Sequence, residues 1–161
     1  MRKKEEITFI NFRKEHEVEL LQLWRKSLHQ AIGLEEDTRE EVVKEHLEYL
    51  QTYDPDIIRV ALENNQNKII GFMAKEGNYI KDLFIDVEYQ RKGLGSLFIN
   101  EAKEEDEFLW LHTLELNKGA QKFWESHDFV IVKRGFTSFE SNPWATSKEQ
   151  LSDITYEWRK H

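Results

Sequence analysis

The stretch that most constrains this chain is Leu83-Phe84-Ile85-Asp86-Val87 running into Gln90-Arg91-Lys92-Gly93-Leu94-Gly95. An apolar segment enters a basic, glycine-bearing turn, and helical spacing follows at Leu94, Leu97, Phe98 and Ala102. Glycine lets backbone approach a ligand with no Cβ in the way. The first turn of a helix adds unpaired N–H groups and a partial positive charge. Strand, glycine turn and helix N-terminus together make a seat for a pyrophosphate, so a phosphorylated cosubstrate is expected.

Two common phosphate-binding patterns are excluded. The dinucleotide fingerprint G-x-G-x-x-G lacks its third glycine, because Gly93-Leu94-Gly95 is followed by Ser96-Leu97-Phe98. No G-x-x-x-x-G-K-[ST] string occurs. The string present is Q-x-x-G-x-G, and here the sequence resembles the GNAT superfamily of N-acetyltransferases, whose acetyl-CoA loop reads [QR]-x-x-G-x-[GA]. Leu83 to Gln90 is similar to the family's strand-and-bulge segment, with Val87 where proline is frequent. Asn117-Lys118-Gly119-Ala120-Gln121-Lys122-Phe123-Trp124, ending at Asp128-Phe129, resembles N-x-x-A-x-x-F-Y-x-x-x-G-F. The resemblance spans residues 57–136; the segment before it fits by pattern alone.

That resemblance implies specific roles. The turn from Arg91 through Lys92, Gly93, Leu94 and Gly95 to Ser96 would hold the pyrophosphate of acetyl-CoA by its N–H groups. The main chain of Phe84, Ile85 and Asp86 would pair with pantetheine, and Asn117 and Phe123 would border the cosubstrate. Asn117 also suits a helix N-cap. Glu115 and Asp82 are the acidic residues nearest the expected thioester and the candidate bases, each also readable as a solvated strand-end carboxylate. Trp124 stands where many relatives carry a tyrosine proposed to protonate the departing sulfur. Indole N–H donates a hydrogen bond but is no usable acid. Water or Tyr89 could stand in, and Trp124 also reads as a packed aromatic. His112 reads either as lining for an acceptor pocket or as a buried, hydrogen-bonded histidine.

The remaining pattern fits one α/β domain over residues 1–161. Ile7–Phe12 alternates as a strand, and Val18, Leu21, Trp24, Leu28 and Ile32 mark an amphipathic helix. Val43, Leu47, Leu50 and Tyr53 mark a second, broken at Asp54-Pro55. Strands follow at 57–62, 68–74, 79–86 and 108–116, with a short helix around Ala120, Phe123, Trp124 and His127. Segments 129–139 and 154–158 finish the sheet, as a hairpin across Ser141-Asn142-Pro143. The order β-α-α-β-β-β-α-β-α-β-β is compatible with several α/β folds. The resemblance selects the GNAT fold, a central mixed, mostly antiparallel twisted sheet of about seven strands flanked by about four helices.

Charge and composition narrow the partners. A net charge of −8 disfavours nonspecific nucleic-acid binding and favours cationic partners. The run Glu35-Glu36-Asp37 with Glu40-Glu41 reads as a solvated helix face that could also attract a cation. There is no cysteine, so no acyl-cysteine can form, and the histidines show no metal-ligand spacing. The opening residues lack the apolar core of a signal peptide and no run spans a membrane, so a cytoplasmic protein is expected. The expected activity is direct acetyl transfer from acetyl-CoA, in a ternary complex, to a primary amine of a small molecule or peptide. No metal, nucleic acid or membrane takes part, and a homodimer is left open. The alternative is a catalytically weak CoA-binding or sensing protein on the same fold.

Overall fold

A computed structural model describes residues 6–90, 92–142 and 144–161. The strands are β1 (Ile7–Asn11), β2 (Ile58–Glu63), β3 (Lys68–Glu76), β4 (Tyr79–Ile85), β5 (Phe108–Leu114), β6 (Val130–Phe136) and β7 (Ser152–Arg159). The helices are α1 (Glu17–Ile32), α2 (Glu40–Gln51), α3 (Leu94–Glu105) and α4 (Lys118–Ser126). They build a seven-stranded sheet in the order β1-β2-β3-β4-β5-β7-β6. All neighbours are antiparallel except β4 and β5.

Local signals mark the starts of α1, α3 and α4 and the end of α1. α1 carries Glu17 and Glu19 in its first turn, matching the positive end of the helix dipole, and stops where Gly33 turns left-handed at φ 75°. α3 starts at Gly93, also left-handed at φ 87°. α4 starts at Asn117, whose side chain accepts the N–H of Ala120 at 3.0 Å. One core packs α3 and α4 on one face of the sheet through Phe98, Ile99, Leu109, Leu111, Trp124 and Tyr156. A second packs α1 and α2 on the other through Leu20, Trp24, Leu50, Tyr53 and Phe72.

Several boundaries differ from the sequence reading. β6 ends at Phe136 rather than 139, and the return to β7 is a long connection carrying a short 3-10 turn at Lys148–Leu151. Pro143 of the expected hairpin turn lies outside the described residues. β7, not β6, takes the inner position, so the apolar Val130, Ile131 and Val132 sit exposed on the edge strand. A bulge at Val132, where the register slips between Ile131 and Lys133, makes that edge a poor template for pairing. The acidic run is not a helix face at 35–37: it forms the connection between α1 and α2. There the buried Arg25 guanidinium donates to the Asp37 carbonyl and to His46 Nδ1.

Candidate active site

β4 and β5 pair only at Tyr79↔Trp110 and Ile80↔Leu111. Beyond Ile80 the parallel strands part. On the other side of β4 the ladder to β3 continues, with one surplus residue, Lys81, between the pairs Lys75↔Ile80 and Ala74↔Asp82. The resemblance led to a bulge within residues 83–90; the surplus residue lies two positions earlier, at Lys81. It sits where the splay begins, and the gap between the strands opens a cleft of about 920 Å³.

The register decides which backbone groups face that gap. Asp86 N–H donates to the Ile70 carbonyl at 2.8 Å, which fixes 70–86 as a hydrogen-bonded pair. Antiparallel pairs alternate, so Phe84 opposite Phe72 also spends its main-chain groups on β3. Leu83 and Ile85 turn theirs away from β3, into the gap. Of the three residues expected to pair with pantetheine, only Ile85 therefore offers main chain to the cleft, and Leu83 joins it. The Ile85 carbonyl is already taken, by Ser27 Oγ at 3.1 Å and Gln90 Nε2 at 2.9 Å. Its N–H has no partner among the described residues and is open to a ligand. Asp86 instead holds the turn, accepting from Glu88 N–H at 2.9 Å and pairing with Lys68 at 3.5 Å.

At one end of the cleft stand Gln90, Gly93, Gly95 and Ser96. The left-handed Gly93 has open space where a Cβ would point, so its requirement for glycine is conformational. Gly95 differs: a Cβ there would meet the Phe123 ring at 3.0 Å. A Gly95 side chain would therefore enter α4 rather than the phosphate path that close backbone approach implies. The Leu94 side chain is core, Lys92 lies exposed with its ammonium 5.6 Å from the Tyr89 ring, and Arg91 lies outside the described residues. Ser96 Oγ is hydrogen-bonded to His127 Nε2 at 2.9 Å. Burial foremost, then the Lys103 charge, holds His127 below its usual pKa.

We expect Gly95→Leu to cost about 1–3 kcal/mol by overpacking Phe123. Acetyl-CoA binding should weaken with it, because Phe123 borders the cleft. Melting temperature and calorimetric titration on one preparation check this. Weakened binding at unchanged melting temperature would return Gly95 to the phosphate path.

Asp82, Thr113, Asn117, Phe123 and Trp124 also line the cleft, Asp82 from the α1/α2 side and Phe123 and Trp124 from α4. Asp82 accepts a hydrogen bond from Tyr53 Oη. Burial raises its carboxyl to about 6, against the opposing pull of the Tyr53 hydrogen bond and the Lys81 charge. Trp124 is buried, in edge-to-face contact with Phe123 at 5.0 Å and Phe129 at 5.2 Å. It thus serves as both core aromatic and cleft wall. Glu115 does not line the cleft. Its carboxylate pairs with Arg134 at 2.9 Å across the exposed side of β6, because β5 has ended at Leu114 and the chain has begun to turn.

The far end, on the α1/α2 face, is walled by Trp24, Tyr49 and Tyr79 and floored by His112 and Asp153. His112 is exposed, not buried, and its Nδ1 is hydrogen-bonded to Thr155 Oγ1 at 2.9 Å. Asp153 was not singled out from the sequence. Its one signal there is a carboxylate beside the apolar Leu151 and Ile154 at the start of β7.

Comparison with known proteins follows this geometry. Residues 54–131, which run from the start of β2 into β6, match the family model described as an acetyltransferase (GNAT) domain. The chain carries a GNAT acetyltransferase domain. Solved structures share its fold along nearly the whole length. YjaB from Escherichia coli, in its apo form, superposes with a TM-score of 0.74 at 20% identity, covering 96% of this chain and 99% of that one. A GNAT-family acetyltransferase from Staphylococcus aureus Mu50 gives 0.65 at 18% identity over 96% and 99%. PaiA N-acetyltransferase from Thermoplasma acidophilum, solved with coenzyme A, gives 0.62 at 16% identity over 95% and 98%. At these identities the likeness shows the fold. A sequence search of curated proteins finds no match. Acetyl-CoA is the cosubstrate that a GNAT domain implies, and the features here fit it: the left-handed Gly93, the helix start behind it, and the free Ile85 N–H in the gap. Among the described residues no three His, Asp or Glu side chains gather as a metal site, and no helix is long and apolar enough to cross a membrane.

Proposed function

We propose that this protein transfers the acetyl group of acetyl-CoA directly to a primary amine, with Asp82 as the general base. The carrying observation is a desolvated carboxyl with a pKa near neutrality, placed beside the bulge where β4 and β5 part. A lysine-like amine has a pKa of about 10.4 and reaches the site protonated. Asp82 takes that proton, and the freed nitrogen lone pair attacks the thioester carbonyl carbon. The C–N bond forms as the C–S bond breaks. The Ile85 N–H is the backbone donor for charge gathering on the carbonyl oxygen. As sulfur leaves as thiolate, the acylated nitrogen gives up its second proton through water, and the thiolate takes a proton from the same water. Turn 91–96 would hold the pyrophosphate, Leu83 and Ile85 the pantetheine, and Asn117 and Phe123 the wall beside it. The acceptor, a cationic small molecule or peptide, enters from the α1/α2 face, and a cytoplasmic setting belongs to the same proposal.

One observation favours a second reading. Trp124 leaves no phenol at the position of the family's tyrosine, which suits a weakly catalytic CoA-binding protein. Initial rates over a grid of acetyl-CoA and amine concentrations test the proposal. Intersecting lines are expected, since the chain has no cysteine to carry an acyl group. Parallel lines would defeat direct transfer, and acetyl-CoA binding without turnover of any amine would favour the second reading.

A further inference from the structure

Asp153 is 8% exposed, yet its carboxylate has no hydrogen-bond partner among the described residues. A nearly buried carboxylate is normally satisfied by two or more donors. The nearest cation-forming group is His112 Nδ1 at 4.0 Å, and that nitrogen already faces Thr155. Gly135, opposite Asp153 on β6, has no side chain to cover it: even a Cβ there would stand 3.8 Å from Oδ1. The open side of the carboxylate faces the cleft.

Its surroundings define what chemistry could pair with it. Tyr79 and Asp82 line the same cleft; burial foremost, then the charges of Asp82, Tyr49 and Asp153, holds the Tyr79 phenol at about 12. The Tyr79 ring stacks on Trp110 at 4.3 Å and meets His112 at 5.7 Å, presenting aromatic faces beside the carboxylates. Two carboxylates lining one cleft beside aromatic rings, Asp82 bonded to Tyr53 and Asp153 with no hydrogen bond among the described residues, match a ligand with two cationic groups. Lys81 does not fill the role, because its ammonium lies 4.0 Å from the Tyr53 ring. Lys133 on β6 acts on Asp153 only through its charge and makes no ion pair with it.

We propose that the acceptor is a diamine or polyamine-like compound, whose reacting amine meets Asp82 while Asp153 binds a second ammonium group. This rests on the amine-acetylation reading above and adds the class of amine. Burial also raises the Asp153 carboxyl above its ordinary value. A bound cation would reverse that, as it would for any desolvated acid given a counter-charge.

The test titrates unbranched α,ω-diamines of graded length, and alkyl monoamines of equal length, into the CoA-saturated protein by calorimetry. Acetyl transfer to the same compounds is assayed in parallel. The best diamine should bind about tenfold tighter than its matched monoamine, the size of one partly desolvated cation–carboxylate contact. Asp153→Asn should abolish that ratio. Equal binding of the two series to the wild-type protein overturns the proposal, even if the variant fails to fold. So does a ratio that survives Asp153→Asn. If the variant keeps the ratio but acetylates neither amine, Asp153 is the base and not a docking group. Diamine preference without acetyl transfer to any amine would defeat the acetylation reading and leave the Asp153 site standing.

Discussion

Asp82→Asn should lower kcat by about 10²–10⁴, the range for removing a positioned general base. Asn keeps an oxygen for the Tyr53 hydroxyl but cannot take a proton. The wild-type protein should show kcat rising with pH through about 6, as Asp82 ionises. In the variant that limb should vanish, leaving only the rise at higher pH that comes from the amine itself. The stability signature has a definite sign. The folded-state pKa lies above the unfolded value of 3.8, so the folded protein holds this proton more tightly. Stability is therefore lost as pH rises from about 4 through about 6. Asn escapes the cost of ionising a desolvated carboxyl, so at pH 8 the variant should melt no lower than wild type. Glu115→Gln is the contrast: its exposed pair with Arg134 is worth little, and kcat should stay within about twofold. A pH limb that survives Asp82→Asn would assign the base elsewhere.

These assignments show which parts of the site the sequence could express. The Gln90-to-Gly95 string and the Asn117 motif were legible because each encodes local geometry. A left-handed turn needs glycine, and a helix start needs a cap. The bulge and splay of β4 followed from the resemblance, but they fall at Ile80 and Lys81, just ahead of the 83–90 segment expected to carry the bulge. The exchange of Phe84 and Asp86 for Leu83 was not legible. Strand polarity depends on register against β3, and a one-residue change reverses which groups face the cleft. Glu115 and Asp82 looked equivalent in sequence because both stand near strand ends. Only the burial of Asp82 under Tyr53, from the distant α2 segment, separates them. Asp153 was hidden for the same reason: a lone acid on a strand gains meaning from what lies across the sheet. The edge position of β6 also escaped the pattern, since Val130-Ile131-Val132 reads as an interior strand.

Trp124→Tyr should raise kcat, by no more than about thirtyfold. The ceiling follows from the leaving group: a thiol of pKa about 8.5 expelled as thiolate at pH 7 costs about 1.5 units, or roughly 2 kcal/mol. A phenol at this position could protonate the sulfur and recover part of that. The indole cannot, and its N–H has no hydrogen-bond partner among the described residues that would orient it for another task. The change also removes buried area from the contacts with Phe123 and Phe129, so about 1–2 kcal/mol of stability should be lost. Affinity for acetyl-CoA should change little, because the phosphate end of the cleft at Gly93 and Ser96 lies apart from the indole on another helix. kcat, the KM for acetyl-CoA and melting temperature, read together on one amine, separate the roles. A raised KM for the amine with unchanged kcat makes Trp124 an acceptor wall. Lower melting temperature with unchanged kcat per folded molecule makes it core alone. A fall in kcat at normal stability would show that the indole takes part in turnover, and that the missing phenol is not what limits this enzyme.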